Sequence, residues 1–239
     1  MAGLDETSGS NPDVSLLYDI NGLAKAAPGW LDRTVGFVGE YGLLIGTVLL
    51  VLWAWWSLRK RAATLEDAAS SAAAVVWAPL AAALAILVNV PIRGFVERRR
   101  PFLDHQGLEV LVDGKTDFSF VSDHATLAMA MGVGLFVAHR RIGLAAIGLA
   151  VVEGFCRIYM GVHYPTDVIG GFALGTAVAL LLSPLAAALL TPLARAVGAS
   201  RRVGWLVWPR SAVAVARETV GIPEARTPGA GSGDRDLAA

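Results

Sequence analysis

The sequence predicts an all-α protein: a polytopic membrane helix bundle with about five transmembrane helices and an N-terminal interfacial helix. Three observations support this prediction. Of the 239 residues, 55% are hydrophobic and only 17% are charged, whereas typical soluble domains carry about 25% charged residues. The mean hydropathy is +0.56, and the apolar residues occur in long blocks rather than scattered along the chain. Blocks of this length are typical of helices that cross a bilayer.

Five apolar segments are expected to span the bilayer. They cover about residues 41–58, 68–90, 122–138, 142–155 and 165–190. The first ends in tryptophans, which are typical of an interfacial aromatic belt, and the basic run Arg59-Lys60-Arg61 follows. Pro79 and Pro184 are expected to kink the second and the fifth helix.

The chain is expected to form one membrane domain, residues 15–200, with its chemistry-bearing residues in a motif core at 91–175. Residues 1–14 are polar and are predicted to be disordered. Apolar residues then recur between Val14 and Ala27 with the spacing of a short amphipathic helix, which is too short to span and should lie at the interface. The tail, residues 201–239, is predicted to be largely disordered from residue 221.

The five spans divide the loops between two sides of the membrane. Loops 59–67 and 139–141 and the chain after the fifth span are rich in arginine and lysine. By the positive-inside rule that side, with the C-terminus, is cytoplasmic. Loops 91–121 and 156–164 then face outside. They carry nearly as many basic residues, so this orientation depends on some of their arginines being held in a site.

The overall charge and the cysteine content exclude several function classes. The 20 basic and 20 acidic residues cancel, so no net charge draws the chain to nucleic acid. Cys156 is the one cysteine of the sequence, which excludes an intrachain disulfide and a cysteine-based metal cluster.

Two polar clusters on the outer side each have a structural and a functional interpretation. Arg93-Gly-Phe-Val-Glu-Arg-Arg-Arg100-Pro101 follows the second span. It could be a basic rim at the lipid headgroups, or an oxyanion clamp, because guanidinium groups bind phosphate with paired hydrogen bonds. Ser122-Asp123-His124 opens the third span. Serine is a suitable N-cap and a helix N-terminus attracts anions, although the cluster could also be an ordinary polar cap.

The third cluster is Arg157-Ile-Tyr-Met-Gly-Val-His163-Tyr-Pro-Thr-Asp167. Pro165 suits the first turn of the fifth helix, so His163 precedes that turn and Asp167 lies within it. The carboxylate could accept a hydrogen bond from one ring nitrogen of His163 and leave the other nitrogen as a nucleophile. A lone histidine near a membrane surface is usually structural, but the accompanying arginine and carboxylate favour a catalytic role.

Together, in this order and on one side, the three clusters resemble the type 2 phosphatidic acid phosphatase superfamily, which also includes vanadium haloperoxidases. The motifs of that superfamily run K-x6-R-P, P-S-G-H and S-R-x5-H-x3-D. Here they read Arg93-x6-Arg100-Pro101, Val121-Ser122-Asp123-His124 and Cys156-Arg157-x5-His163-x3-Asp167. The resemblance covers roughly residues 40–185.

Four positions depart from the pattern of the superfamily: Arg93, Val121, Asp123 and Cys156 replace lysine, proline, glycine and serine. The Ser-Asp-His sequence is similar to that of bacterial undecaprenyl-diphosphate phosphatases of the bacitracin-resistance type. Asp123 would repel a bound phosphate unless it faces an arginine or is protonated.

The resemblance implies a two-step displacement without a metal or another cofactor. His163 would attack phosphorus and form a phosphohistidine, oriented by Asp167. His124 would protonate the leaving oxygen and then activate water. The predicted phosphate-binding set is Arg93, Arg100, Ser122, Asp123 and Arg157. The motifs also lack a carboxylate cluster that would hold magnesium.

The expected function is hydrolysis of an undecaprenyl-type polyprenyl diphosphate to the monophosphate, with the membrane and this lipid as partners and no role for nucleic acid. The same chemistry on phosphatidate or phosphatidylglycerol phosphate is the nearest alternative. A non-catalytic lipid-headgroup-binding protein is a second, and a soluble haloperoxidase, which the apolar spans oppose, is a third. Other polar residues are expected to be structural: Arg98, Arg99 and Glu97 as a rim, Asp104 and His105 in a solvated loop, His139 in a cytoplasmic turn, and Glu153 paired with an arginine.

Overall fold

The computed structural model describes residues 11–112, 114–200 and 202–208, and the regular structure within these ranges is helical throughout. The helices are α1 (Pro12–Ala26), α2 (Gly29–Phe37), a π-helical segment (Val38–Gly42), α3 (Leu43–Arg61), α4 (Leu65–Val96), α5 (Pro101–Asp104), α6 (Asp123–Ala138), α7 (Arg140–Tyr159), α8 (Pro165–Leu181), α9 (Ser183–Ala199) and a 3₁₀ turn (Gly204–Leu206). The predicted all-α membrane bundle is confirmed.

The first span is longer than its apolar block. Helices α2 and α3 and the π-helical segment between them form one run, Gly29–Arg61, of 33 residues. The predicted segment began at residue 41 because Asp32, Arg33 and Glu40 interrupt the hydropathy. At its far end, the Arg59 guanidinium lies 4.5 Å above the Trp55 ring and the Lys60 amine 3.7 Å above Trp56.

Helix length and hydropathy together identify three or four candidate spans among the described residues, and the predicted count of about five stays a prediction. Three helical runs in the described residues are long and apolar enough to cross a membrane: Gly29–Arg61, Leu65–Asp104 and Arg140–Tyr159. Helices α8 and α9 would supply a fourth as a broken span, bent by 51°. The predicted bend at Pro184 is thus confirmed, since this proline lies in the first turn of α9. Pro79 lies within α4, which continues past it to Val96, and the predicted kink there stays a prediction.

Helix α6, the predicted third span, has only 16 residues, which rise about 24 Å against a hydrocarbon thickness of about 30 Å. Its residues from Ala128 to Leu135 are all buried, because α4, α7 and α8 surround it. An apolar run of this length does not distinguish a buried central helix from a spanning one.

Close contact between α6 and α8 aligns the ends that carry the motifs. A Cβ atom at Gly175 would lie 2.5 Å from the carbonyl oxygen of Thr126, and one at Gly171 would lie 2.9 Å from that of Ser122. Glycine at both positions therefore lets the two backbones touch. The first turns of α6 and α8 meet, and the Ser122 amide donates to the Asp167 carbonyl at 3.1 Å.

Helix α1 confirms the predicted N-terminal helix and packs onto the same end of the bundle. It begins at Pro12, inside the segment that was expected to be disordered, with Asn11 as its N-cap. Leu17 is fully buried in a core cluster with Ile158 and Tyr164. The buried Asn21 donates to the carbonyls of Glu109 and Tyr159, both at 2.8 Å. The other residues expected to be disordered, 1–10 and 221–239, lie outside the described ranges.

Candidate active site

The three predicted clusters converge at one end of the bundle. Arg93 lies in the last turn of α4, and Arg157 lies in the last turn of α7. Ser122 caps α6 with its Oγ atom, which accepts from the Ala125 amide at 3.5 Å. Asp167 occupies the first turn of α8. The structure therefore brings residues separated by more than 70 positions into one site.

His163 lies at the centre of this site and its tautomer is fixed by a backbone carbonyl. The ring Nδ1 lies 2.9 Å from the Ser119 carbonyl oxygen, which can only accept, so Nδ1 carries the proton. Nε2 lies 3.3 Å from Nη1 of Arg100, a group that can only donate. The Nε2 lone pair is therefore directed toward a guanidinium group, as a nucleophile for phosphate would be.

The predicted hydrogen bond between His163 and Asp167 needs correction. The distance from Nδ1 to Oδ2 of Asp167 is 3.6 Å, too long for a hydrogen bond. The carboxylate is instead held by the Tyr164 amide, which donates to Oδ2 at 2.9 Å in a capping box. Ser119 supplies the direct hydrogen bond to the ring, and Asp167 adds a buried negative charge next to it.

Arg98 also binds the Asp167 carboxylate, so it is a residue of the site and not the rim residue that was expected. Its Nη1 donates to Oδ1 of Asp167 at 2.8 Å, and its Nη2 donates to Oδ2 of Asp13 at 2.6 Å. Its guanidinium also lies 3.7 Å above the Tyr164 ring. Arg98 thus links α1 to the first turn of α8. Arg99 does match the expected rim, since its side chain is 62% exposed and pairs with Asp104.

The protonation state of His163 suits a nucleophile. Burial, together with the positive charges of Arg100 and Arg157, lowers the pKa of His163 to about 4, although Asp167 acts in the opposite direction. An ordinary histidine has a pKa of 6.5. The ring is therefore neutral at pH 7 and keeps its lone pair.

Asp117, which the sequence analysis did not identify, bridges two of the predicted phosphate-binding arginines. Its Oδ1 accepts from Nη2 of Arg100 and its Oδ2 from Nη1 of Arg93, both at 2.8 Å. Burial raises the pKa of this carboxyl group, but the hydrogen bond from Arg100 and the charges of Arg100 and Arg93 outweigh it and lower the pKa overall. Arg100 itself is buried and also donates to the carbonyls of Asp117 and Val162.

Asp123 faces an arginine, which compensates the negative charge of its carboxylate. Its Oδ2 pairs with Nη2 of Arg93, and its Oδ1 accepts from Nδ2 of Asn89 at 2.7 Å. The carboxylate therefore orients Arg93 instead of standing unpaired beside a phosphate. Asn89 is buried and also donates to the Val121 carbonyl.

Arg157 is fully buried, and its charge is matched by a residue from the first helical run. Its Nη1 donates to Oε2 of Glu40 at 2.7 Å. Oε1 of Glu40 accepts from Nζ of Lys115 at 2.7 Å and lies 3.9 Å from Nε2 of His124. The expected pairing of Glu153 with an arginine of the site is not observed, since both of its carboxylate oxygens are buried without a hydrogen-bond partner among the described residues.

The site residues do not form a metal cage. Within residues 11–112, 114–200 and 202–208, no group of three or more histidine, cysteine, aspartate or glutamate side chains could hold a metal ion. The cationic groups of the site are guanidinium and ammonium groups, which can themselves neutralise phosphate oxygens.

The chain resembles known proteins in sequence. The sequence profile of the PAP2 superfamily matches residues 74–190. Undecaprenyl-diphosphatase BcrC of Bacillus subtilis is 28% identical over 152 residues, 63% of this chain and 72% of the relative. Decaprenylphosphoryl-5-phosphoribose phosphatase of Mycobacterium tuberculosis is 32% identical over 173 residues, 71% of this chain and 88% of the relative.

A solved structure shares the fold. The crystal structure of Aquifex aeolicus LpxE superposes with a TM-score of 0.54 and 22% identity, over 74% of this chain and 98% of that one. The helix arrangement, the motif residues and the relatives agree, and the chain is a membrane-embedded phosphatase that belongs to the PAP2 superfamily.

Proposed function

We propose that this protein hydrolyses an undecaprenyl-type polyprenyl diphosphate to the monophosphate through a phosphohistidine at His163. The observation that carries the proposal is the orientation of His163. Its Nδ1 proton is committed to the Ser119 carbonyl, and its Nε2 lone pair lies 3.3 Å from the Arg100 guanidinium. A nucleophile is thus held next to a group that binds phosphate.

In the proposed first step, Nε2 of His163 attacks the terminal phosphorus and the bond to the bridging oxygen breaks. The Nδ1 proton stays on the ring, and the new imidazolium charge is stabilised by the Ser119 carbonyl and the nearby Asp167 carboxylate. His124 gives a proton to the departing polyprenyl phosphate. In the second step, His124 takes a proton from water, which attacks phosphorus and releases inorganic phosphate and free His163.

The phosphoryl oxygens would be bound by Arg93, Arg100 and Arg157, with Ser122 at the helix N-terminus. Each of these arginines is paired with a carboxylate and is thereby held in place before the substrate arrives. Asp123 belongs to this set as the residue that orients Arg93. Such preorganised charge is the main source of catalysis in phosphoryl transfer.

The charge pattern supports a site that faces outside. Every basic residue predicted for the outer loops is ion-paired: Arg93, Arg98, Arg99, Arg100, Lys115 and Arg157. At the opposite end Arg195 pairs with Glu66, but Arg61, Arg140 and Arg141 pair with no carboxylate of the described residues. Since paired arginines are weak topology signals, the end with the unpaired arginines is the cytoplasmic end in this proposal.

The relatives support a polyprenyl-linked phosphate as substrate. BcrC of B. subtilis is named for undecaprenyl diphosphate, and the M. tuberculosis relative for a decaprenylphosphoryl phosphoribose. Hydrolysis of a polyprenyl-linked sugar phosphate is therefore a second candidate beside the phosphatidate and phosphatidylglycerol phosphate alternatives. Each candidate presents a phosphate at the headgroup layer, where the proposed topology would put the site.

The substrate class can be tested with purified protein in detergent. Phosphate release from undecaprenyl diphosphate is expected to exceed release from phosphatidate and phosphatidylglycerol phosphate by about tenfold or more in kcat/KM, a difference that a few specific contacts can supply. Decaprenylphosphoryl-5-phosphoribose tests the second candidate in the same assay. Equal rates for all four lipids would contradict the polyprenyl preference.

The pH dependence of kcat/KM is expected to reflect the lowered pKa of His163. The nucleophile must be neutral, so activity appears as the pH rises through that pKa of about 4 and is lost as the pH falls through it. The acidic limb should therefore lie nearer to pH 4 than to the 6.5 of an ordinary histidine. A separate titration of the lipid identifies the ionisation of the substrate. A limb near pH 6.5 that the lipid does not explain would contradict the assignment.

A further inference from the structure

We propose that Glu40 is a positioning residue of the active site and acts through His124 and Arg157. This inference depends on the proposed function, in which His124 transfers protons. Glu40 lies outside residues 74–190, the part of the chain that matches the family profile. It also lies outside the three motifs, so its role follows from the structure alone.

Glu40 connects three basic side chains that come from three different segments. Its carboxylate binds Nη1 of Arg157 from α7 and Nζ of Lys115 from the loop before α6, both at 2.7 Å. Nε2 of His124, on α6, lies 3.9 Å from Oε1. The Glu40 side chain is 15% exposed and that of Arg157 only 1%, so solvent weakens these interactions little.

The backbone around Glu40 is shaped to bring it to the site. Glu40 lies in the π-helical segment Val38–Gly42, and such segments are frequent at functional sites. A Cβ atom at the neighbouring Gly39 would lie 2.9 Å from Cβ of Cys156. The segment therefore packs directly against α7, and the Gly39 carbonyl lies 3.5 Å from Nη1 of Arg157.

The charges around His124 give Glu40 a specific task. Burial and the charge of Arg157 lower the pKa of His124 to about 4, Lys115 and His163 act in the same direction, and Glu40 is the one group among them that raises it. His124 must be protonated before it can give a proton to the leaving oxygen. Without Glu40, the protonated ring of His124 would face Arg157, Lys115 and His163, none of which carries a negative charge. Glu40 thus opposes the loss of the acid form of His124, from which its carboxylate lies 3.9 Å away, and it holds Arg157 in position.

The variant Glu40→Gln tests this task because it removes the charge and keeps the shape. With undecaprenyl diphosphate, kcat is expected to fall about 10- to 100-fold, within the range of general acid catalysis, while KM changes little. The alkaline limb of the kcat–pH profile should move to lower pH, since the acid form is lost earlier. Glu40→Asp keeps the carboxylate, so it should retain a large part of kcat and shift the alkaline limb less. Glu66→Gln, at an exposed ion pair with Arg195, is the matched control and should behave as wild type.

A histidine NMR titration supplies a readout that needs no catalysis. The chain has four histidines, and the His124 signal is assigned by its disappearance in His124→Gln. Its titration midpoint should fall in Glu40→Gln and stay unchanged in Glu66→Gln. Should Glu40→Gln fail to fold, Glu40→Asp takes its place, with a smaller fall in the midpoint expected.

The outcomes separate this inference from the proposed function. An unchanged midpoint, with or without a fall in kcat, would overturn the proposed action of Glu40 on His124, because Glu40 would then only hold Arg157 in place. If wild-type protein released no phosphate from any lipid, the proposed function would fail. The midpoint would still show whether Glu40 acts on His124.

Discussion

Replacing His163 with alanine is expected to abolish phosphate release from undecaprenyl diphosphate. The variant loses the Nε2 atom that attacks phosphorus, and water would have to replace it without activation. Removal of a nucleophile of this kind typically lowers kcat by on the order of 10⁴-fold or more. The measurement is phosphate release at saturating lipid, together with capture of a radiolabelled phosphoenzyme that is labile in acid, as phosphohistidine is. The label should appear in wild type and be absent from His163→Ala.

The control for this variant is another histidine of the same chain. His139 caps α7 at the opposite end of the bundle, where its Nδ1 accepts from the Ile142 amide at 3.4 Å. His139→Asn keeps a capping side chain and should retain wild-type activity. Activity in His163→Ala comparable to that of His139→Asn would refute the nucleophile assignment. Loss of phosphate release with retained lipid binding would, in turn, oppose the alternative of a non-catalytic lipid-binding protein.

The membrane bundle could be predicted because hydropathy reports directly on the environment of a helix. The blocks at residues 68–90 and 142–155 correspond to the apolar parts of α4 and α7. Hydropathy alone does not decide whether α6 crosses the membrane, since a helix buried among other helices is as apolar as one that faces lipid. It also placed the start of the first span too late, because charged residues of α2 interrupt the apolar run although they lie within the helix and at least one has a polar partner. Tyr159, for example, donates to Asp32 at 2.8 Å.

The motif spacing predicted which side chains meet, but not what holds them. Residues four apart at the start of a helix are constrained by local geometry, so His163 and Asp167 could be placed close together. The partners that fix the site come from distant segments: Ser119 for His163, Asp117 for Arg100 and Glu40 for Arg157. These contacts depend on how the loop before α6 folds over the bundle and on where the π-helical segment lies. Neither has a signal in local sequence.

The second large effect is expected for Arg100→Lys, a substitution that keeps the positive charge. Arg100 is buried and uses its whole guanidinium group: Nε and Nη2 hold Asp117, while Nη1 bridges the Val162 carbonyl and Nε2 of His163. A lysine has a single nitrogen and cannot hold the loop and bind a phosphoryl oxygen at once. We expect kcat/KM to fall on the order of 100- to 1,000-fold, the cost of losing one preorganised donor to transition-state charge.

The neighbouring arginine provides a matched control for this effect. Arg99 precedes Arg100 in the chain, but its side chain is 62% exposed and its partner is Asp104. Arg99→Lys should therefore stay within about twofold of wild type, as surface substitutions usually do. Thermal denaturation in detergent shows whether each variant is folded. If both lysine variants were equally active, charge alone would suffice at position 100, and the contact between the guanidinium group and His163 would not be part of catalysis. A loss confined to Arg100→Lys in a folded protein would instead mean that the planar, multiply bonded guanidinium group aligns the phosphate with the histidine lone pair.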